Sequence, residues 1–458
     1  VFMDKKVVTR FAPSPTGHFH VGGIRSALFN FLFARQKGGT YILRSEDTDK
    51  ERSKREYENE FLELFDWLGL KHDQFFRQSD RIKVYRKYLQ KMIDDGFAYL
   101  SKETPKEEGE RDEVIRFKNP NKKITFHDLV LGDITVDTTD LGDFVIARDM
   151  DEPLYHLAVV IDDFEMEVTH VIRGQEHAPN TPRQILIQEA IGAPRPLYAH
   201  LPLILNKERA KLSKRDESVP GAIEYKKRGY LPEALLNFMA LNGWNPGGEQ
   251  EVFTLSELIK KFDISKVQKG GGIFNPEKLE WLNKEHMKLL TPAEIEKNIL
   301  AWLPEEMRNK IPKRPSFGTK DGLLGIIFER ISKWGDIKEI VAKGELDFFF
   351  KAPEYEKEKL IFPAQSGSAS GGKNFNLEKI SQNIKEVINV LQALEEKDFT
   401  KENIKNALMI LADKMDSRGE VLHPVRFALS GLDKSPDPFI IAEILGKNET
   451  LSRLQKAI

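Results

Sequence analysis

Two short segments carry side chains suited to handling phosphates, and they lie roughly 190 residues apart. The first is Arg10-Phe11-Ala12-Pro13-Ser14-Pro15-Thr16-Gly17-His18-Phe19-His20-Val21-Gly22-Gly23, and the second is Lys211-Leu212-Ser213-Lys214-Arg215. Residues 7–12 form a short apolar run with β-branched members, which reads as a strand. The proline-rich cluster that follows breaks it, and from Gly22 onward Ile24, Ala27, Leu28, Phe31 and Leu32 recur at helical spacing. The histidines and glycines therefore sit on a strand-to-helix turn, where a helix N-terminus offers unpaired N–H groups and a positive dipole end to phosphates. Gly22 and Gly23 let a nucleotide lie flat on the backbone, and His18 and His20 are both placed to donate to phosphate oxygens. Taken alone, the same glycines would merely permit a turn, and their spacing matches neither Gly-x-Gly-x-x-Gly nor a P-loop. In the second segment Lys211, Lys214 and Arg215 put three cations within five residues, a site for a polyphosphate. In isolation such a run would more often be a solvated basic loop.

Elements able to position these residues follow from the pattern around them. Residues 40–44 read as a second strand, and a long amphipathic helix follows with Tyr57, Phe61, Leu64, Phe65 and Leu68 on one face. Such alternation predicts a parallel sheet covered by helices. A further helix is expected over 81–95, then a highly charged surface loop over 101–112. Residues 114–146 are strand-like, with turns at Asn119-Pro120 and Leu131-Gly132-Asp133, and form an insertion between two halves of the sheet. The sheet pattern resumes near Tyr155, gives a strand at 201–205 and runs through the Lys211 loop. From about residue 220 the pattern is mostly helical, including 231–241, 255–262, 377–394 and 400–415. Linkers are expected at 304–315, which holds three prolines, and at the Ser/Gly-rich stretch 364–373.

Composition bounds the function. The chain has 458 residues, more than one domain needs, and at 40% hydrophobic and 31% charged it resembles ordinary soluble globular proteins. It has no stretch long and apolar enough to span a bilayer and no signal-peptide pattern, so a cytoplasmic protein is expected. With no cysteine, disulfides and thiolate metal sites are excluded. His72, His127, His286 and His423 are scattered and suggest no ligand cluster. The net charge of −2 means that any nucleic-acid surface must be a local basic patch. Candidates are Lys226-Lys227-Arg228, Lys260-Lys261, and Lys310 with Lys313-Arg314.

The two segments resemble the HIGH and KMSKS signatures of class I aminoacyl-tRNA synthetases, and the closer resemblance is to bacterial-type glutamyl-tRNA synthetases. The first signature reads His20-Val21-Gly22-Gly23. Further matching runs are Leu43-Arg44-Ser45-Glu46-Asp47-Thr48-Asp49, Asp162-Asp163, the run from Thr169 to His177, Asn180-Thr181-Pro182 and the run from Tyr230 to Asn237, so the resemblance covers essentially the whole chain. It implies an α/β Rossmann-like parallel-sheet catalytic domain with a small α+β insertion, followed by mostly helical tRNA-binding domains. The implied boundaries are 1–80 and 154–217 for the two catalytic halves, 81–153 for an acceptor-end-binding insertion, 218–312 for a stem-contact domain and 313–458 for an anticodon-binding domain.

The implied reaction has two steps: glutamate and ATP give glutamyl-adenylate, and the glutamyl group then passes to the 3′-terminal adenosine of a glutamate tRNA, with the glutamine tRNA as a further candidate acceptor. His20, Lys211 and Lys214 would be catalytic. Ser14, His20, Gly22, Gly23, Glu176, Ile204, Lys211, Ser213 and Lys214 would hold ATP, which enters with Mg²⁺. Arg10 and Arg173 would take the glutamate side-chain carboxylate, Glu46 the α-ammonium, and Ala12 and Tyr155 would complete the amino-acid pocket. Arg44 and Asp47, near Glu46, read better as an internal ion pair, and His170 and His177 as packing residues. Many relatives have asparagine where this chain has Val159, so no polar role is carried to that position. No zinc and no protein ligand set for a metal are expected, and a monomer is. Three alternatives stand beside this reading, and one of them, a short paralogue that modifies a tRNA base, would lack the anticodon-binding portion that this chain retains. A glutaminyl-tRNA synthetase would have a β-rich C-terminal part and usually a second histidine where Gly23 stands. A catalytically inactive tRNA-binding paralogue would not need Arg10, Glu46, Lys211 and Lys214 intact.

Overall fold

The computed structural model describes residues 6–103, 113–212, 220–311, 322–361, 377–415 and 417–458. Ser213 and Lys214, the linker residues 312–315 with Lys313 and Arg314, the stretch 364–373 and most of the charged loop 101–112 lie outside the described residues. The chain divides into two units, 1–286 and 287–458.

The first unit is built on a seven-stranded sheet. Its chain order is β1 (Val8–Phe11), α1 (Val21–Gln36), β2 (Thr40–Ser45), α2 (Arg55–Trp67), β3 (Gln74–Arg77), α3 (Ile82–Asp94), β4 (Ala98–Lys102), β5 (Glu113–Phe117), β6 (Lys123–Asp128), β7 (Gly132–Asp137), β8 (Phe144–Ala147), α4 (Tyr155–Glu165), β9 (His170–Gly174), α5 (Thr181–Ile191) and β10 (Leu197–Leu201). Across the sheet the order is β3-β2-β1-β9-β10-β6-β7, and only the β6–β7 pair is antiparallel. The strand order reverses between β1 and β9, and in open α/β sheets ligands lie outside the carboxyl ends of the strands at such a switch point.

Successive strand residues face opposite sides, and the burial follows. Phe11, Tyr41, Leu43, Ile172 and Ala199 join a core with α1 and α2, while Ile42, Val171 and Tyr198 join one with α3, α4 and α5. Helix α1 is enclosed around most of its girth, so its apolar residues occupy every face. Asn30 within it donates to the Ile172 carbonyl at 2.9 Å, and its own carbonyl accepts the Thr9 hydroxyl at 2.9 Å. These bonds tie α1 to both strands at the reversal.

Three expectations are corrected. Residues from Tyr155 form helix α4 rather than a strand, because Leu157, Ala158, Val160 and Ile161 are all buried, and a fully buried helix lacks the polar face that would reveal its period. The strand expected over 201–205 is broken at Pro202: β10 ends at Leu201, and β11 (Ile204–Leu205) pairs with β12 (Gly272–Ile273) instead. Proline has no N–H to continue the ladder. The linker expected from residue 304 begins with a short helix, Glu305–Lys310. Of the strand-like insertion, β4, β5 and β8 form their own antiparallel sheet, whereas the β6–β7 hairpin extends the main sheet by pairing with β10 at Tyr198↔Asp128.

The unit ends with α6 (Ala222–Lys227), α7 (Pro232–Leu241), α8 (Leu255–Lys261) and α9 (Pro276–Lys288). The second unit is helical throughout its described residues. Its helix Leu377–Gln392 buries Ile380, Ile384, Val387 and Leu391 at helical spacing. Buried Arg453 donates to the carbonyls of Phe348 (2.6 Å) and Leu429 (2.8 Å), joining three segments. No helix among the described residues is long and apolar enough to cross a membrane.

The start of β2 is a close approach: Thr40 N donates to the Val7 carbonyl at 2.8 Å, and a Cβ on Gly39 would lie 2.4 Å from that same oxygen. Gly39→Ala is predicted to cost about 1–3 kcal/mol, because the neighbour is backbone and cannot swing away. A urea unfolding midpoint matching the parent's would contradict it.

Candidate active site

A cleft of roughly 480 Å³ opens at the strand-order reversal. His20, Gly22, Gly23, Arg25 and Ser26 come from the start of α1, Gly174 and Glu176 from the end of β9, and Pro202, Leu203, Ile204, Lys211 and Leu212 from the segment after β10. Six residues nominated for ATP, His20, Gly22, Gly23, Glu176, Ile204 and Lys211, are thus brought together. Ser14 and Ala12 lie just beyond the end of β1, Ser14 exposed and Ala12 half-buried. Glu46 N and Lys54 N donate to the carbonyls of Pro13 and Pro15, both at 2.9 Å, and fix this loop.

His20 is the N-cap of α1. Its Nδ1 accepts the Gly22 N–H at 3.2 Å, so the neutral ring carries its proton on Nε2. His18 does not share the cleft: its Nδ1 lies 2.6 Å from Glu60, and its ring packs edge-on against Tyr57. The pairing of the two histidines expected from their spacing is therefore corrected by an acid on α2. The glycines also separate. A Cβ on Gly22 would sit between His20 Nδ1 (3.4 Å) and Ile204 (4.0 Å), on the cleft floor, whereas one on Gly23 would strike the Phe19 ring at 2.4 Å. Gly23 lines the cleft, but its missing side chain makes room for Phe19.

Lys211 is exposed and closes a tight loop. Asn206 N donates to the Ala210 carbonyl (2.8 Å), Asn206 Oδ1 accepts the Ala210 N–H (2.8 Å), and Leu205 bridges to Lys211. The loop brings Lys211 to the lining of the same cleft as His20. Arg25 was missed by sequence reasoning. It is buried, one of its Nη groups donates to the Asn242 carbonyl at 3.0 Å and the other to the Pro202 carbonyl, and burial lowers its pKa to about 10 against the pull of Glu176. A single arginine in an apolar helical run is the signal that was there.

Beside the cleft lies a charge network. Arg44, wholly buried, contacts Asp163 (2.8 Å), Glu46 (3.1 Å) and Asp162 (3.7 Å). Arg10 Nε donates to Asp163 at 3.1 Å. Asp162 also receives Arg81 (2.6 Å), the Tyr85 hydroxyl (2.8 Å) and Gln78 (2.9 Å). Burial opposes the charge on Arg44, but its three carboxylates outweigh that and raise its pKa. Burial likewise opposes the Asp163 carboxylate, yet Arg10 and Arg44 hold its pKa below the usual value. At Glu46 burial prevails and raises the pKa, partly offset by Arg44 and Arg10. The internal pairing expected for Arg44 is thus present. Asp47 has a different task, accepting from the Ser79 N–H (2.8 Å) and hydroxyl (2.6 Å).

Arg173 stands apart from this network. Its Nε donates to His200 Nε2 at 3.1 Å and its Nη2 to the Thr181 hydroxyl at 2.9 Å, while Nη1 is buried without a partner among the described residues. The Tyr155 hydroxyl lies 3.3 Å from His177 Nδ1. His170 is packed against Phe33, and Val159 is fully buried. Among the described residues no three histidine or acidic side chains group as a metal site. The expected basic patch Lys226-Lys227-Arg228 is partly neutralised, since Lys226 pairs with Glu63 (2.8 Å) and Lys227 with Glu224 (2.6 Å).

Comparison with known proteins meets this geometry. Residues 6–113 and 102–281 match the family described as tRNA synthetases class I (E and Q), catalytic domain, and residues 285–458 match an anticodon binding domain. The glutamate–tRNA ligase of Thermodesulfovibrio yellowstonii is 39% identical over 99% of both chains, and that of Geobacillus thermodenitrificans is 36% identical over 100% of this chain and 99% of its own. The chain belongs to the glutamate–tRNA ligases of class I. Among solved structures, a glutamate tRNA ligase from Elizabethkingia meningosepticum in complex with its amino acid superposes with a TM-score of 0.86 at 32% identity over 99% of each chain. One from Elizabethkingia anophelis gives 0.81 at 32% identity over 99% of this chain and 100% of that one. The ligase family uses ATP as a substrate, and the helical second unit separates this member from the β-rich arrangement of the glutaminyl alternative.

Three histidines of the ligase make its stability depend on pH. Burial pushes the pKa of His156, His170 and His177 down to about 4, helped by Arg183 at His156, Lys37 at His170 and Arg173 at His177. Unfolded histidines take up protons near pH 6.5, whereas the folded ones resist until about 4, so stability falls as pH drops between those values. At pH 5 each should cost about 1–2 kcal/mol. Urea midpoints at pH 7.5 and 5.0 test this, and His170→Gln should flatten the slope; an equal slope in that variant would count against it.

Proposed function

We propose that the ligase activates L-glutamate with ATP and transfers the glutamyl group to the terminal adenosine of the glutamate tRNA. The observation that carries this reading is the convergence of His20 and Lys211, 191 positions apart, on the lining of one cleft. In the first step the α-carboxylate of glutamate attacks the α-phosphorus of ATP and pyrophosphate leaves. Its demands are in-line placement and stabilisation of charge on the transferring and leaving groups. The His20 Nε2–H and the N-terminus of α1 meet the phosphates on one side, and Lys211 meets them on the other, with Ser213 and Lys214 following directly in sequence. ATP enters as its Mg²⁺ complex. Gly22 and Ile204 hold the adenosine, Glu176 the ribose, and Ser14 the phosphate side. In the second step a ribose hydroxyl of the tRNA end attacks the acyl carbon and releases AMP.

For glutamate, Arg173 and Arg10 receive the side-chain carboxylate, Glu46 the α-ammonium, Tyr155 adds a hydroxyl and Ala12 a backbone contact. Charge balance favours this assignment. Arg10, Arg44 and Arg81 are matched by Glu46, Asp162 and Asp163, whereas Arg173 is hydrogen-bonded only to neutral groups among the described residues, which leaves its charge for an acid. Glutamate brings one net negative charge, and glutamine brings none. A carboxylate accepts two charge-assisted bonds from a guanidinium, of about 1.5–3 kcal/mol each, and the amide forfeits part of that.

In the same reading, residues 81–153 hold the acceptor end, 218–312 the inner corner of the tRNA and 313–458 the anticodon. The ligase works as a monomer in the cytoplasm. The glutamine tRNA is a second acceptor if the anticodon site is relaxed. Aminoacylation of separate glutamate and glutamine tRNA transcripts with labelled glutamate decides this, and charging of neither would sink the reading. Lys211→Ala and Lys214→Ala should each slow adenylate formation by roughly 10²–10³-fold while tRNA binding stays near normal. Unchanged single-turnover rates would remove either lysine from its assigned role.

A further inference from the structure

A chain of buried polar groups runs from the hairpin at the edge of the sheet to Arg173. Asp128, the last residue of β6, accepts the backbone N–H groups of Val130 (3.0 Å), Leu131 (2.9 Å) and His200 (3.2 Å). Its Oδ2 also lies 2.6 Å from His200 Nδ1, and both side chains are wholly shielded from solvent. Burial opposes the Asp128 carboxylate, but these bonds hold its pKa below the usual value. An ionised carboxylate only accepts, so His200 Nδ1 must carry a proton. On the far side of the ring, Nε2 faces Arg173 Nε at 3.1 Å. A guanidinium only donates, so Nε2 must present its lone pair. The two contacts together admit a single form of His200, neutral and protonated on Nδ1.

We propose that Asp128 and His200 are positioning residues that aim the Arg173 guanidinium at the substrate carboxylate while leaving its charge uncompensated. The proposal rests on the assignment of Arg173 to glutamate. An aspartate bonded directly to Arg173 would orient it equally well but would neutralise it. The interposed neutral imidazole passes on the orientation without the countercharge. His200 and Thr181 between them hold Nε and Nη2, which fixes the plane of the group. The buried Nη1 has no acceptor among the described residues, and a buried donor in that state is costly unless a ligand supplies the acceptor. The burial of His200 disfavours its charged form, more strongly than the Asp128 hydrogen bond favours it, and so preserves the acceptor at Nε2.

The test uses the full chain with ATP and tRNA. Asp128→Asn puts a donor where His200 Nδ1 needs an acceptor, which favours the other tautomer and sets an N–H against Arg173. It should raise the KM for glutamate by roughly tenfold or more while the KM for ATP stays within about twofold. His200→Leu should do the same, and His200→Gln, which restores an acceptor, should recover most of the loss. Arg173→Gln is the reference. If it raises the glutamate KM but Asp128→Asn and His200→Leu do not, the positioning proposal falls and the Arg173 assignment stands. If Arg173→Gln itself leaves that KM unchanged, the assignment falls and takes the proposal with it. Equal rises in the KM for glutamate and ATP would reduce Asp128 and His200 to structural residues. Nitrogen-15 NMR of the parent protein needs no variant to fold: a His200 ring with its proton on Nε2 would overturn the proposal outright.

Discussion

The site depends on the ion network around Arg44. A guanidinium shut off from water carries a desolvation cost that only close, well-bonded carboxylates offset. Asp162, Asp163 and Glu46 provide them, and each is anchored elsewhere, so the network sets the spacing of four elements. Arg10 brings in β1, Glu46 follows β2, the two aspartates stand on α4, and Arg81 and Tyr85 bring in α3 with the residue before it. With these charges balanced among themselves, the cleft can be polar without being indiscriminately charged. Removing Asp163 would take away the carboxylate that buried Arg10 is bonded to, and breaking a buried pair in this way typically costs about 3–5 kcal/mol.

Balance also explains why Arg173 is supported by neutral groups. Across the strand-order reversal from Arg10, it contacts a histidine and a threonine where Arg10 contacts an aspartate. The two arginines nominated together for one carboxylate therefore differ in their partners: one is held by an internal acid and the other by neutral groups.

Much of this was legible in the residue pattern, and the failures share a cause. The strand, turn and helix from Val8 to Gln36 follow from local spacing, and the approach of Lys211 to His20 followed from the family resemblance. What could not be read was any choice settled by a distant partner. His18 and His20 look equivalent until Glu60 claims the first. Asp47 looked like a partner for Arg44 until Ser79 took it. Asp162 and Asp163 were one of the runs matching the family, yet nothing local told which arginines they meet. Helix α4 was hidden because full burial erases the periodicity that identifies a helix, and Arg25 because its acceptors, two backbone carbonyls, have no side-chain signature.

The pairing of β1 with β9 has a consequence for synthesis. Strand β1 is translated well before β9, and one of its two neighbours, β2, follows within about thirty residues, but on its other edge Thr9 is in register with His170. Until that later stretch emerges, this interior strand of the sheet has one edge of N–H and C=O groups open, the kind of edge that invites wrong pairing. The β4–β5–β8 sheet and the β6–β7 hairpin lie between, and local antiparallel pairs form long before a contact of such separation can. A nascent chain therefore carries a finished insertion beside a half-built sheet, and the cleft at the strand-order reversal stays incomplete until the Lys211 loop has been translated.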